Sequence, residues 1–177
     1  MTFATWITLA RLALVIPLSM GFEGLIPSSG TFWCYLLASS TDWIDGWVAR
    51  KFDQASEIGA LLDPLVDKVL ITASLVGLLK TGLIPPWSVT LILTREFLVT
   101  GLRAVVVRQG LVMKASPIGK WKTVTQMVAI GGLLGRDLVP GALAPARALW
   151  WVAVLLTLVS AGEYLWSTRS VWSSREV

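Results

Sequence analysis

Asp42, Asp45, Asp63 and Asp67 are the residues through which this chain can do chemistry, and they stand in an otherwise greasy sequence with Gly46, Ala49, Arg50 and Gly59 among them. Charge at membrane depth is costly unless it is paired, metal-bound or facing a wet cavity. The carboxylates of this stretch outnumber its cations, so internal pairing cannot neutralise them all. A bound divalent metal, in more than one copy, resolves the imbalance, because carboxylate oxygens suit hard cations.

Spacing adds geometry to this chemistry. Residues three or four apart on a helix share a face. Asp42, Asp45, Gly46 and Ala49 therefore form one stripe, and Gly59, Asp63 and Asp67 form a second. The connection between the two helices is short, so they are expected to run antiparallel with the stripes facing each other, the way helical bundles build two-metal sites. Gly46, Ala49 and Gly59 leave room for a ligand or for close helix approach. Arg50 is placed to neutralise a phosphate or one of the aspartates.

The rest of the catalytic vocabulary is limited. The chain has no histidine, which removes imidazole acid–base chemistry and His-ligated zinc. Its one cysteine, Cys34, excludes an intrachain disulfide and a Cys-rich metal site, and reads as a small buried residue. The net charge of +4 suits anionic lipids or anionic substrates, and no nucleic-acid partner is expected.

The elements that must position these residues read as membrane helices. Of 177 residues, 55% are hydrophobic and only 15% charged, below the roughly 25% of soluble domains. Several apolar runs approach the roughly 20 residues needed to cross a bilayer, and the spans fall at about 9–26, 32–51, 57–79, 87–107, 123–134 (with an earlier start near Ile118 as the alternative) and 148–166. The expectation is an all-α polytopic membrane protein, one domain over 1–177, with six transmembrane helices. No cleavable leader is expected, since no positive cluster precedes the first apolar run. Arg11, near the start of the first span, is expected to snorkel to the surface.

Six spans put both termini on one side. Arg50, Lys51, Arg108, Lys114, Lys120, Lys122, Arg169 and Arg175 fall on that side, against Lys80, Arg136 and Arg147 on the other. The bias places both termini in the cytoplasm. Trp33, Trp87, Trp150 and Trp151 are expected near one interface, and Trp43, Trp47, Trp121 and Trp166 towards the other.

The pattern Asp42-x2-Asp45-Gly46-x2-Ala49-Arg50-x8-Gly59-x3-Asp63-x3-Asp67 resembles the signature of the CDP-alcohol phosphotransferases at every position. The likeness covers nearly the whole chain. Segments 62–68, 94–103 and 116–126 are most similar to the members whose acceptor is glycerol 3-phosphate. One departure is Thr2 and Ala4, where the family often has an Asn-Pro pair. The resemblance implies transfer of a phosphatidyl group from CDP-diacylglycerol to an alcohol with release of CMP. It also implies a six-helix homodimer with a cytoplasm-facing polar cavity in the inner membrane, among membrane lipids.

By the same resemblance Asp42, Asp45 and Asp63 are the main metal ligands, with Asp67 contributing, to two Mg²⁺ ions or to Mn²⁺. Gly46, Ala49, Arg50 and Gly59 would border the cytidine and phosphates. Asp67 is the choice for the base that takes, or orients, the acceptor's hydroxyl proton. An acceptor phosphate needs cations. Arg95 and Arg103, eight apart on span four, with Lys120 and Lys122 at the start of span five, are expected to gather for it.

Two rivals share these residues. A sister enzyme would use the same donor and another acceptor: phosphatidylglycerol, serine or an inositol phosphate. A divalent-cation transporter would use the aspartates as a transport site, but it calls for broken helices or pseudo-symmetric repeats that the sequence lacks.

Overall fold

Where the turns of this chain are described, glycine and proline mark the helix ends. In the computed structural model the backbone is described for residues 3–52, 57–108 and 116–173, and the side chains for 8–41, 65–106 and 116–166. Six helices follow one another: α1 (Phe3–Phe22), α2 (Ser28–Phe52), α3 (Glu57–Lys80), α4 (Pro86–Arg108), α5 (Pro117–Leu134) and α6 (Leu143–Ser173). A 3₁₀ turn, Gly135–Asp137, follows α5, and the described residues contain no strand.

Two helix starts show the local rules at work. Ser116 caps α5, its Oγ accepting from the Gly119 N–H at 3.3 Å, and Pro117 fills the first turn, where a missing N–H is harmless. Pro86 opens α4 in the same way. The turns after α1 and α3 pass through Gly24 (φ 79°) and Gly82 (φ 69°), a left-handed conformation that glycine adopts without penalty. Several helices extend beyond the apolar runs that announce them: α1 begins at Phe3 rather than near 9, and α6 runs from Leu143 to Ser173 rather than 148–166. Hydropathy marks the greasy part of a helix, whereas caps and turns mark its ends.

Side-chain contacts fix the direction of every helix. Along α1, Arg11 meets Asp67 of α3, Phe22 meets Gly77, and Glu23 just beyond meets Lys80, so α1 and α3 run parallel. Gly21 of α1 packs against Thr31 of α2, Phe32 against Gly135, and the Tyr35 hydroxyl donates to the Met127 carbonyl at 3.0 Å; α2 thus runs opposite to α1 and α5. On α6, Ala146 faces Gly132 and Tyr164 lies by Gly119, which sets α6 against α5. Trp87 and Trp151 stack at 5.6 Å while Arg95 lies over Tyr164, so α4 and α6 are parallel. The six helices alternate up and down. The end of α2, the start of α3, the end of α4, the start of α5 and the end of α6 therefore share one end of the bundle.

Among the described residues the core lies in the half of the bundle away from the aspartate stretch, from Leu18, Tyr35, Leu75, Leu78, Ile92, Ile130, Leu133 and Trp150. Trp150 is 1% exposed and packs inside, which corrects its expected place at an interface; Trp33, Trp87 and Trp151 on the same level are exposed, as are Trp121 and Trp166 at the other end. The outer faces are apolar as well: Ile16, Leu98, Leu155 and Leu165 all point outwards. In water such faces are an interaction surface; lipid is their natural solvent. Among the described residues Leu143–Trp166 of α6 is long and apolar enough to cross a membrane, and Thr8–Phe22 is a shorter apolar stretch.

Candidate active site

α1 packs against both α2 and α3, which touch each other only slightly among the described residues. Arg11 comes off the middle of α1, 1% exposed, and its Nη1 lies 2.5 Å from Oδ1 of Asp67, whose side chain is 43% exposed. This overturns the snorkelling expectation. A guanidinium buried between helices keeps its charge at least cost beside a carboxylate, and Asp67 supplies one. Counting ten residues down each helix from the Gly21–Thr31 contact brings Arg11 level with Thr41, at the first acidic turn of α2.

A second charged group occupies the same end, between α4, α5 and α6. Glu96 receives Nη1 of Arg95 at 3.1 Å and the ammonium of Lys122. Arg95 is 9% exposed and Lys122 is 1% exposed, so Glu96 is the counter-charge that allows two buried cations to sit side by side. The Arg95 guanidinium lies 5.2 Å from the centre of the Tyr164 ring. Nη2 of Arg103 donates to the Tyr164 hydroxyl at 3.3 Å. Lys68, next to Asp67, donates to Thr100 of α4 at 2.6 Å and links α3 to α4. At the rim, Ser116 donates to Glu163.

Of the residues singled out from sequence, Arg95, Arg103 and Lys122 are brought into one cluster, and Asp67 stands at the same end of the bundle. Lys120 is exposed on the first turn of α5. Asp42, Asp45, Gly46, Ala49 and Arg50 lie on α2, and Gly59 and Asp63 on α3, but their side chains are outside the described residues. Sequence reasoning missed Arg11 and Tyr164 as parts of the site. For Arg11 a signal existed, a lone arginine flanked on both sides by apolar helix; for Tyr164, 61 residues from Arg103, none did.

A family profile described as CDP-alcohol phosphatidyltransferase matches residues 1–159, which contain the whole pattern from Asp42 to Asp67. A Bacillus subtilis protein named CDP-diacylglycerol–glycerol-3-phosphate 3-phosphatidyltransferase is 44% identical over 133 residues, 73% of this chain and 68% of that protein. A Mycobacterium tuberculosis protein named probable phosphatidylglycerophosphate synthase is 43% identical over 131 residues, 74% of this chain and 62% of its own length. A rice protein named cardiolipin synthase (CMP-forming) is 35% identical over 196 aligned positions, 97% of this chain and 58% of that protein. The match thus spans about two thirds or somewhat less of these relatives' own lengths.

Proposed function

This chain belongs to the CDP-alcohol phosphatidyltransferase family, and from that premise we propose that it moves the phosphatidyl group of CDP-diacylglycerol onto glycerol 3-phosphate. The products are phosphatidylglycerophosphate and CMP, a step of phospholipid biosynthesis. The observation that carries this reading is Asp67, paired with Arg11, at the same end of the bundle as a separate cluster of cations on α4 and α5, in a chain whose relatives are named for this reaction.

In this reading the acceptor's hydroxyl oxygen forms a bond to the phosphatidyl phosphorus as the pyrophosphate bond to CMP breaks. Asp67 orients that hydroxyl and receives its proton. Arg11 holds the carboxylate in place from α1, since a 2.5 Å ion pair leaves Oδ1 little freedom. Arg103, Arg95, Lys122 and the exposed Lys120 draw the acceptor's phosphate to the same end. Gly46, Ala49, Arg50 and Gly59 border the cytidine and phosphates.

The donor set suits a divalent cation: four aspartates offer only oxygen, the chemistry that hard ions take. Asp42, Asp45, Asp63 and Asp67 would hold it, as two Mg²⁺ or Mn²⁺ ions, and when bound it supplies positive charge against the build-up on departing CMP. The reading further takes 1–177 as one domain crossing the inner membrane six times. Both termini and the polar cavity face the cytoplasm, and two copies form a homodimer.

CMP release by the purified protein, with CDP-diacylglycerol, Mg²⁺ and glycerol 3-phosphate, tests the reaction. Release should require the acceptor and fall at least about a hundredfold in Asp67→Asn and in Asp63→Asn, given the weight of acid–base and metal-held groups. Acceptor-dependent release that survives both substitutions would sink the assignment of these aspartates.

A second acceptor has a specific observation behind it. Arg95 and Lys122 are already engaged by Glu96, and one relative is named for cardiolipin synthesis. Release with phosphatidylglycerol, and none with glycerol 3-phosphate, would move the chain to that acceptor with the donor chemistry unchanged.

A further inference from the structure

We propose that Tyr164 is a positioning residue for the acceptor's phosphate, holding Arg95 by its ring face and Arg103 by its hydroxyl. The inference rests on the glycerol 3-phosphate reading above and adds to it a residue on α6.

Arg95 and Arg103 stand eight apart on α4, two turns, on similar faces. Glu96 of α4 engages Arg95, and the like charges of the two guanidinium groups push them apart. Tyr164 contacts both from the neighbouring helix. Its ring lies 5.2 Å from the Arg95 guanidinium carbon, within the range of attraction between a cation and an aromatic face. Its hydroxyl oxygen accepts from Arg103 Nη2 at 3.3 Å. The same oxygen lies 3.5 Å from the Ser116 backbone nitrogen, which anchors it to the start of α5. Tyr164 is buried, so these contacts define its orientation rather than decorate a mobile side chain.

The two arginines differ in a way that suits capture of a small dianion. Arg95 is buried and engaged by Glu96; Arg103 is exposed. Arg103 can therefore meet a phosphate arriving from water, while Arg95 marks the depth to which it is drawn. A neutral phenol is the fitting bridge between them, because a carboxylate there would compete with the phosphate for both forks.

Steady-state CMP release in Tyr164→Phe, Tyr164→Leu and Arg103→Gln tests the proposal, with KM for glycerol 3-phosphate and for CDP-diacylglycerol measured separately. Tyr164→Phe keeps the ring and loses the hydroxyl. It should raise KM for glycerol 3-phosphate about fivefold, with kcat and the donor's KM within about twofold. Tyr164→Leu should raise that KM further. In the double variant Tyr164→Phe/Arg103→Gln the acceptor KM should match that of Arg103→Gln alone, as coupled groups require.

A purely structural tyrosine would instead lower the thermal midpoint and kcat and move both KM values together. An unchanged acceptor KM in folded Tyr164→Phe, beside a raised one in Arg103→Gln, would overturn the proposal while leaving the reaction in place. Absence of any glycerol 3-phosphate-dependent release in the unaltered protein would remove the reaction itself, and the proposal with it.

Discussion

Arg11 and Asp67 pair two charges inside an otherwise apolar chain. The arginine is buried and the aspartate half-open, so the two partners are not equivalent. Replacing Arg11 by glutamine removes a buried charge and leaves a carboxylate that water can reach. The loss of stability should be moderate, about 1–3 kcal/mol, below that of a fully buried pair. The larger effect should fall on turnover. An unheld Asp67 no longer keeps the acceptor hydroxyl in line, and small displacements of a reacting group cost about ten- to a hundredfold in rate. Thermal unfolding in detergent and kcat for CMP release measure the two effects separately, and Arg11→Lys should recover part of the rate. Wild-type kcat in folded Arg11→Gln would show that Asp67 needs no such support. The aspartate pattern could be read in the sequence because its spacing is local. The partner of Asp67 could not, because it stands 56 residues away and only the parallel packing of α1 on α3 brings it near.

At the scale of helices, side-chain size sets how near the charged ends can come. A Cβ added at Gly21 of α1 would lie 2.8 Å from Thr31 Cβ on α2, closer than real side chains come. Gly77 of α3 meets the Phe22 ring in the same manner, and Gly132 of α5 would bring a Cβ to 2.9 Å from Ala146 Cβ of α6. These are close approaches of the kind small residues permit between membrane helices. Gly101 of α4 is a control, since a Cβ there meets nothing within 4 Å. Gly21→Ala should destabilise the protein by about 1–3 kcal/mol through overpacking. Gly101→Ala should be neutral or stabilise it by up to about 1 kcal/mol through helix propensity. Thermal midpoints in detergent decide it; equal shifts in the two variants would mean that α1 and α2 are not held by this contact. The existence and order of the helices could be read from apolar runs, and their mutual register could not. Register lives in contacts such as Gly21–Thr31 and Tyr35–Met127, which leave no periodic trace in either helix alone.

The whole molecule is polarised along its helices, and this gives the topology a direct test. Lys68, Arg95, Arg103, Lys120 and Lys122 lie towards the end of the bundle that carries the aspartate stretch, whereas Lys80, Arg136 and Arg147 lie towards the other. The first end belongs in the cytoplasm if the bias of basic residues governs insertion. The apolar outer faces set by Ile16, Leu98, Leu155 and Leu165 then meet lipid or the second copy. Single cysteines introduced into a Cys34→Ser background report the arrangement. Thr81, after α3, and Val139, before α6, are exposed at one end, and Lys120 is exposed at the other. In sealed right-side-out vesicles a membrane-impermeant maleimide should label Thr81→Cys and Val139→Cys at once. Lys120→Cys should react only after the membrane is opened. Labelling of Lys120→Cys alone would reverse the orientation and bring the aspartates to the wrong side for a soluble cytidine product. Opposite behaviour of Thr81→Cys and Val139→Cys would break the alternation of six spans, because the two turns are separated by α4 and α5 and share a side, with Lys120 on the other, only if both helices cross.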